Sequence, residues 1–110
     1  MKLEVKKFLL TCPLALATLL IPSLLENYFM IVISLFTISL IMLAIDWSIK
    51  YLILFIAIMI SGPIAESVAI YFGLWNYSSP FFLGIPIWLP FVWGNAGLYI
   101  IRLKALIDKI

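Results

Sequence analysis

Four long apolar runs, each closed by charged or turn-forming residues, organise the chain: roughly Phe8 to Leu25, Tyr28 to Ile45, Tyr51 to Phe72 and Ile87 to Leu103. Each is ~17 to 22 residues, which at ~1.5 Å per residue matches a helical crossing of the ~30 Å hydrocarbon layer of a bilayer. The alternation of apolar and polar positions that marks a membrane-spanning strand is missing. The pattern predicts an all-α protein, a single transmembrane domain over residues 1–110 built as an integral-membrane four-helix bundle. Between the third and fourth spans the segment from Gly73 to Pro86, GLWNYSSPFFLGIP, cannot continue a helix because Gly, Asn, Ser and Pro interrupt it. Its Trp75, Tyr77, Phe81 and Phe82 suit the headgroup layer, so it is expected to fold back on the bundle as an aromatic outer loop.

Charge then sets orientation. All seven Lys and Arg lie before span 1 (Lys2, Lys6, Lys7), between spans 2 and 3 (Lys50), or at and beyond the end of span 4 (Arg102, Lys104, Lys109). The connections around Glu26-Asn27 and from Gly73 to Pro86 carry none. Positive residues are retained on the cytoplasmic side, so the split predicts a multi-pass protein of the cell membrane with both termini cytoplasmic. Lys6-Lys7, the apolar run and Ala15-Leu16-Ala17 also have the layout of a cleavable signal peptide, but a retained first span is the expectation.

Composition agrees and narrows the chemistry. Hydrophobic residues make up 66% of the chain and charged residues 11%, too few to cover a water-soluble surface. No basic run is long enough to track a phosphate backbone, so nucleic acid is not an expected partner. One cysteine, Cys12, leaves no internal disulfide. The absence of histidine removes the commonest ligand for transition metals, and no metal or cofactor is expected.

Glu66 is the candidate for chemistry. It lies seven residues before Gly73, roughly 10 Å below the outer boundary, where an ionisable group costs about 2.5 to 3.5 kcal/mol to insert and must face protein or a cavity. Gly62, Glu66, Ala69 and Gly73 repeat at helical spacing, one face of small residues that another helix or a ligand can approach. In span 4, Trp88, Phe91, Asn95 and Tyr99 share a face, and Asn95 lies at the depth of Glu66. A hydrogen bond between the two is therefore predicted, with Glu66 as a buried acid and Asn95 orienting it. Gly62, Ala69, Trp75, Tyr77, Trp88 and Tyr99 are the expected ligand-contacting residues. At the other membrane boundary Asp46 and Lys50 are expected to form an i,i+4 ion pair. Thr11, Ala15 and Thr18 give span 1 a face of small residues for packing within the chain or against a copy of it.

The order Glu66, Phe72-Gly73-Leu74-Trp75-Asn76-Tyr77, Leu83-Gly84-Ile85-Pro86 and Trp93 resembles a pattern in membrane proteins of carotenoid biosynthesis, the carotenoid hydratase family in particular. The resemblance covers roughly 30 to 35 residues within the second half of the chain and does not extend to the first two spans. It implies a site between spans 3 and 4 for an isoprenoid or other long apolar lipid. The small-residue face around Glu66 with aromatic residues above it adds the expectation that Glu66, neutral at rest, protonates an alkene there. Ile87-Trp88 stands where the cyclase relatives carry paired glutamates, so cyclisation is not implied.

The sequence leaves three readings open: action on or binding of an isoprenoid or carotenoid-like lipid, a non-catalytic scaffold or subunit of a larger membrane complex, and a small proton-coupled transporter. Only the first of these makes the chain an enzyme. Its expected partners are the lipid bilayer, an isoprenoid-like ligand, and either a second copy or another membrane protein.

Overall fold

The computed structural model describes residues 3–78 and 80–110. The chain forms four helices, α1 (Leu3–Leu24), α2 (Tyr28–Ile45), α3 (Ile49–Tyr71) and α4 (Leu89–Ile107), and no strand among the described residues. Short turns join α1 to α2 and α2 to α3. Each of those two turns is closed by a side-chain cap: Asn27 accepts from the amide of Met30 at 3.2 Å, and Ser48 from the amide of Lys50 at 3.2 Å, satisfying amides that a helix start leaves without partners. The bundle measures 44 × 27 × 22 Å.

The first three helices are long and apolar enough to cross a membrane. Large apolar side chains such as Leu16, Phe29, Ile33, Ile53, Ile60 and Val68 point outward along them, as suits a bundle solvated by lipid rather than water. α4 differs. Gly94, Asn95, Gly97, Arg102 and Lys104 lower its apolar character, and it does not meet the same standard of length and hydropathy. Its position explains why the first four are tolerated: α4 packs against α1, α2 and α3 alike, which buries them, while Lys104 in the last turn is exposed.

Against α3 it packs by close approach. A methyl group on Gly62 would overlap the indole of Trp93, one on Gly94 the ring of Phe55, and one on Gly97 the side chain of Ile58. Each large residue thus occupies a hollow left by a glycine on the facing helix, the small-residue logic of packing in lipid. Phe55 and Leu98 join Ile38, Met42 and Leu43 in the apolar core.

Two buried polar layers cross this core. In the first, Asn95 is fully buried; its Nδ2 donates to Thr18 Oγ1 at 3.1 Å and to the Leu35 carbonyl at 3.5 Å, while Ser39 Oγ donates to its Oδ1 at 2.6 Å. These bonds tie α4 to α1 and α2. Thr11 and Thr18 are themselves buried, so much of the small-residue face of α1 packs within the chain.

The second layer lies at the end carrying both termini. Arg102 Nη2 donates to Tyr51 Oη at 2.6 Å, and Nη1 lies 3.2 Å from Asp46 and 3.8 Å from Glu4. Lys7 meets Asp46 at 3.1 Å. The expected Asp46–Lys50 pair is therefore replaced: α2 ends at Ile45 and α3 begins at Ile49, so no helical turn brings residues 46 and 50 together. Glu4 and Lys7, which precede the apolar run, lie within α1 and so reach these partners.

Candidate functional site

The site begins where α3 stops. Gly73 adopts φ +78°, the amide of Gly73 bonds the Ile70 carbonyl at 3.0 Å and that of Leu74 bonds the Ala69 carbonyl at 3.0 Å. This is the Schellman ending, which needs a left-handed residue and so favours glycine. It reverses the chain toward the bundle. A second tight reversal follows at Leu83 (φ 52°) and Gly84 (φ 83°), closed by the Ile85 amide on the Phe82 carbonyl at 3.0 Å. Two successive positive-φ residues are the signature of a type I′ turn. Pro86 is buried just beyond it, and Trp88 enters α4.

The first reversal returns Tyr77 to Glu66. Tyr77 Oη donates to Glu66 Oε1 at 2.5 Å, and Trp93 Nε1 donates to Glu66 Oε2. Both carboxyl oxygens are occupied by aromatic donors, one from the loop and one from α4, which answers the requirement that an ionisable group at this depth be satisfied by protein. Partial burial and the carboxylate beside it hold the Tyr77 phenol well above its ordinary range, because both disfavour the phenolate. Tyr77 in turn meets Trp88 edge to face, with ring centroids 6.1 Å apart at 88°, a favoured aromatic geometry.

Beyond Tyr77 a furrow follows the seam between α1 and α4. Its loop-end hollow, about 310 Å³, is lined by residues that include Pro22, Ser23, Glu26, Tyr28, Tyr77 and Trp88. The next, about 270 Å³, is bounded by Thr18, Leu19, Pro22, Ser23, Trp88 and Val92. The deepest, about 310 Å³, takes in Cys12, Ala15, Leu16, Ala96 and Tyr99 together with Thr18 and Leu19. Consecutive hollows share Pro22, Ser23 and Trp88, then Thr18 and Leu19, so they run into one another. From Pro22 to Cys12 the furrow descends roughly 15 Å along α1 at the helical rise.

The residues expected at a site divide accordingly. Tyr77 and Trp88 meet at the loop end of the furrow, and Tyr99 lines its deepest part, beside Phe8 at 5.7 Å between ring centroids. Trp75 is about half exposed. Gly62 is filled by the Trp93 indole, and Ala69 has its carbonyl engaged in ending α3; neither lines the furrow. The predicted Glu66–Asn95 hydrogen bond does not form, since Asn95 is committed to α1 and α2. Depth was matched but direction was not. Residue 93 faces α3, and residue 95, two positions on and roughly 200° around the helix at 3.6 residues per turn, faces the other way.

Two functional elements were not anticipated. Trp93 is the partner of Glu66 on α4, in the place expected for Asn95. Arg102 is a buried hub rather than a charge at the boundary, and the signal for it was its spacing of seven from Asn95, which puts both on the inward face with Leu98. No protein family, curated protein or solved structure matches this chain.

Proposed function

We propose that this is a multi-pass protein of the cell membrane, both termini cytoplasmic, that binds a long apolar lipid of isoprenoid type in the α1/α4 furrow. Glu66 serves the site through Tyr77. The observation that carries this reading is the continuity of the furrow: mixed polar and aromatic where it meets the loop, apolar below, and about as long as a lipid chain segment. The resemblance of residues 66–93 to the carotenoid hydratase pattern supports the isoprenoid character of that chain. It is Tyr77, not Glu66, that lines the hollow, so Glu66 is a positioning residue for Tyr77; in the chemical reading Glu66 in its acid form gives its proton to the Tyr77 oxygen as the phenol proton passes to a bound alkene, and the water that captures the carbocation returns a proton to the Glu66 carboxylate.

A second reading, a binding module without chemistry, is favoured by the engagement of both Glu66 oxygens. The two readings separate in one experiment. Wild type, Glu66→Gln and Tyr77→Phe are purified in mild detergent, co-purified lipids are identified by mass spectrometry, and polyene products are compared in membranes. Bound polyisoprenoid in all three with altered products only in the variants supports chemistry. Bound polyisoprenoid with the same products throughout supports the module. Absence of any stoichiometric long-chain lipid from the wild type contradicts both.

A further inference from the structure

The loop-end hollow of the furrow has a chemistry of its own. It combines one carboxylate, Glu26, with the aromatic side chains of Tyr28, Tyr77 and Trp88. Glu26 makes no ion pair among the described residues. Neither connection at this end of the bundle contains a lysine or arginine, so no side chain there supplies positive charge; the only compensation is the amino-terminal end of α2 at Tyr28, where Asn27 already takes the Met30 amide.

Two of the three helix ends at the hollow point the same way. α1 finishes beside the hollow with no basic residue in its last turn, leaving the negative end of its dipole without a counter-charge. The start of α4 offers little to an anion: the Leu89 amide bonds the Pro86 carbonyl at 3.2 Å, Pro90 has no N–H, and the Phe91 amide bonds the Trp88 carbonyl at 3.2 Å. A carboxylate and aromatic rings together form the environment in which quaternary ammonium groups are bound.

We infer that this hollow holds the ammonium head of the lipid whose chain lies in the furrow, with Glu26 as counter-ion and Tyr28, Tyr77 and Trp88 as the aromatic wall. The inference rests on the furrow being a lipid site, and it adds the class of head group. Tyr77 then has two roles, since its hydroxyl is held by Glu66 while the residue forms part of the wall.

The test uses the full chain in maltoside micelles, with binding measured against protein-free micelles. The probes are dodecyltrimethylammonium and a neutral amphiphile of equal length bearing a tert-butyl group in place of the ammonium. The ammonium probe should bind about tenfold more tightly than the neutral one. Glu26→Gln, a change at an exposed turn, should erase most of that preference, and Trp88→Leu should weaken it. Competition by free tetramethylammonium shows that the head is recognised alone; failure to compete, with the preference intact, shows that it is read only on a lipid. Both outcomes support the assignment. Equal, saturable binding of the two amphiphiles, or a preference untouched by Glu26→Gln, overturns the ammonium site and leaves the furrow standing. No saturable binding of either amphiphile overturns the furrow as a lipid site as well.

Discussion

Arg102→Met tests whether the second polar layer is a structural hub. Arg102 is 5% exposed and faces two carboxylates, Asp46 and Glu4, besides the Tyr51 hydroxyl. Removing one partner of a buried ion pair leaves the other charge without compensation, at a cost of about 3 to 5 kcal/mol. Here Lys7 remains 3.1 Å from Asp46, and Asp46 is partly exposed, so the loss should fall near the lower figure, about 3 kcal/mol. Methionine retains much of the apolar stem that arginine packs against its neighbours, which keeps the comparison electrostatic. Lys104, two residues on, is the internal control: it is exposed and among the described residues pairs only with Asp108 at 2.6 Å, so Lys104→Met should leave stability unchanged. Reversible unfolding in maltoside–dodecyl sulfate mixtures, followed by tryptophan fluorescence, measures both. Adding Asp46→Asn to Arg102→Met should recover part of the loss, because removing both charges is cheaper than stranding one. If Arg102→Met is no more destabilising than Lys104→Met, or the double variant is additive, the hub does not exist as described.

The same assay checks three further expectations. Gly62→Ala forces a methyl group into the Trp93 indole, which is itself bonded to Glu66, and should cost about 1 to 3 kcal/mol; no loss would mean that α3 and α4 are not in close contact there. Gly73→Ala places a Cβ at φ +78° and should cost about 1 kcal/mol, with Gly73→Asn milder; equal stability of all three proteins would argue against the Schellman ending. The folded phenol of Tyr77 is raised above its ordinary value of 10.0, so the native state holds its proton where the unfolded state gives it up. That contribution is fully present below pH ~10 and is lost as pH rises toward the folded value. A stability profile into the alkaline range should fall more steeply for wild type than for Tyr77→Phe, and parallel profiles would remove the Tyr77–Glu66 bond from the account.

Much of this architecture was legible in the sequence because lipid imposes so few solutions. Once hydrocarbon surrounds the chain, apolar run length alone sets helix number, and α2 falls at the boundaries its run predicts. Direction around each helix was harder to read. Span 4 is apolar or small on most sides, so periodicity did not say which side Asn95 occupies, and equal depth was mistaken for proximity to Glu66. The charges at the termini end were legible as a group but not as pairs, since the helical offset assumed for Asp46 and Lys50 requires an unbroken helix that the turn at residues 46–48 interrupts. Glu66 itself was recognisable from the cost of placing a carboxyl group in hydrocarbon. Its true partners were not: Tyr77 reaches it only through the reversal at Gly73, and Trp93 only because Gly62 leaves room for an indole. The furrow was half visible, in that Tyr77, Trp88 and Tyr99 were expected at a ligand. That α1 supplies the opposite wall follows from the packing around α4, which no local pattern encodes.

The central claim is that a lipid chain occupies the α1/α4 seam in preference to the rest of the lipid-facing surface. Photo-crosslinking in membranes tests it directly, using an isoprenoid probe with a diazirine in its tail and peptide-level mapping of the adducts. The account predicts adducts concentrated at Ala15, Leu19, Ala96 and Tyr99 and lost when Ala96→Leu fills the furrow. Labelling spread evenly over exposed α3 positions such as Ile53 and Ile60, and unaffected by Ala96→Leu, would contradict it.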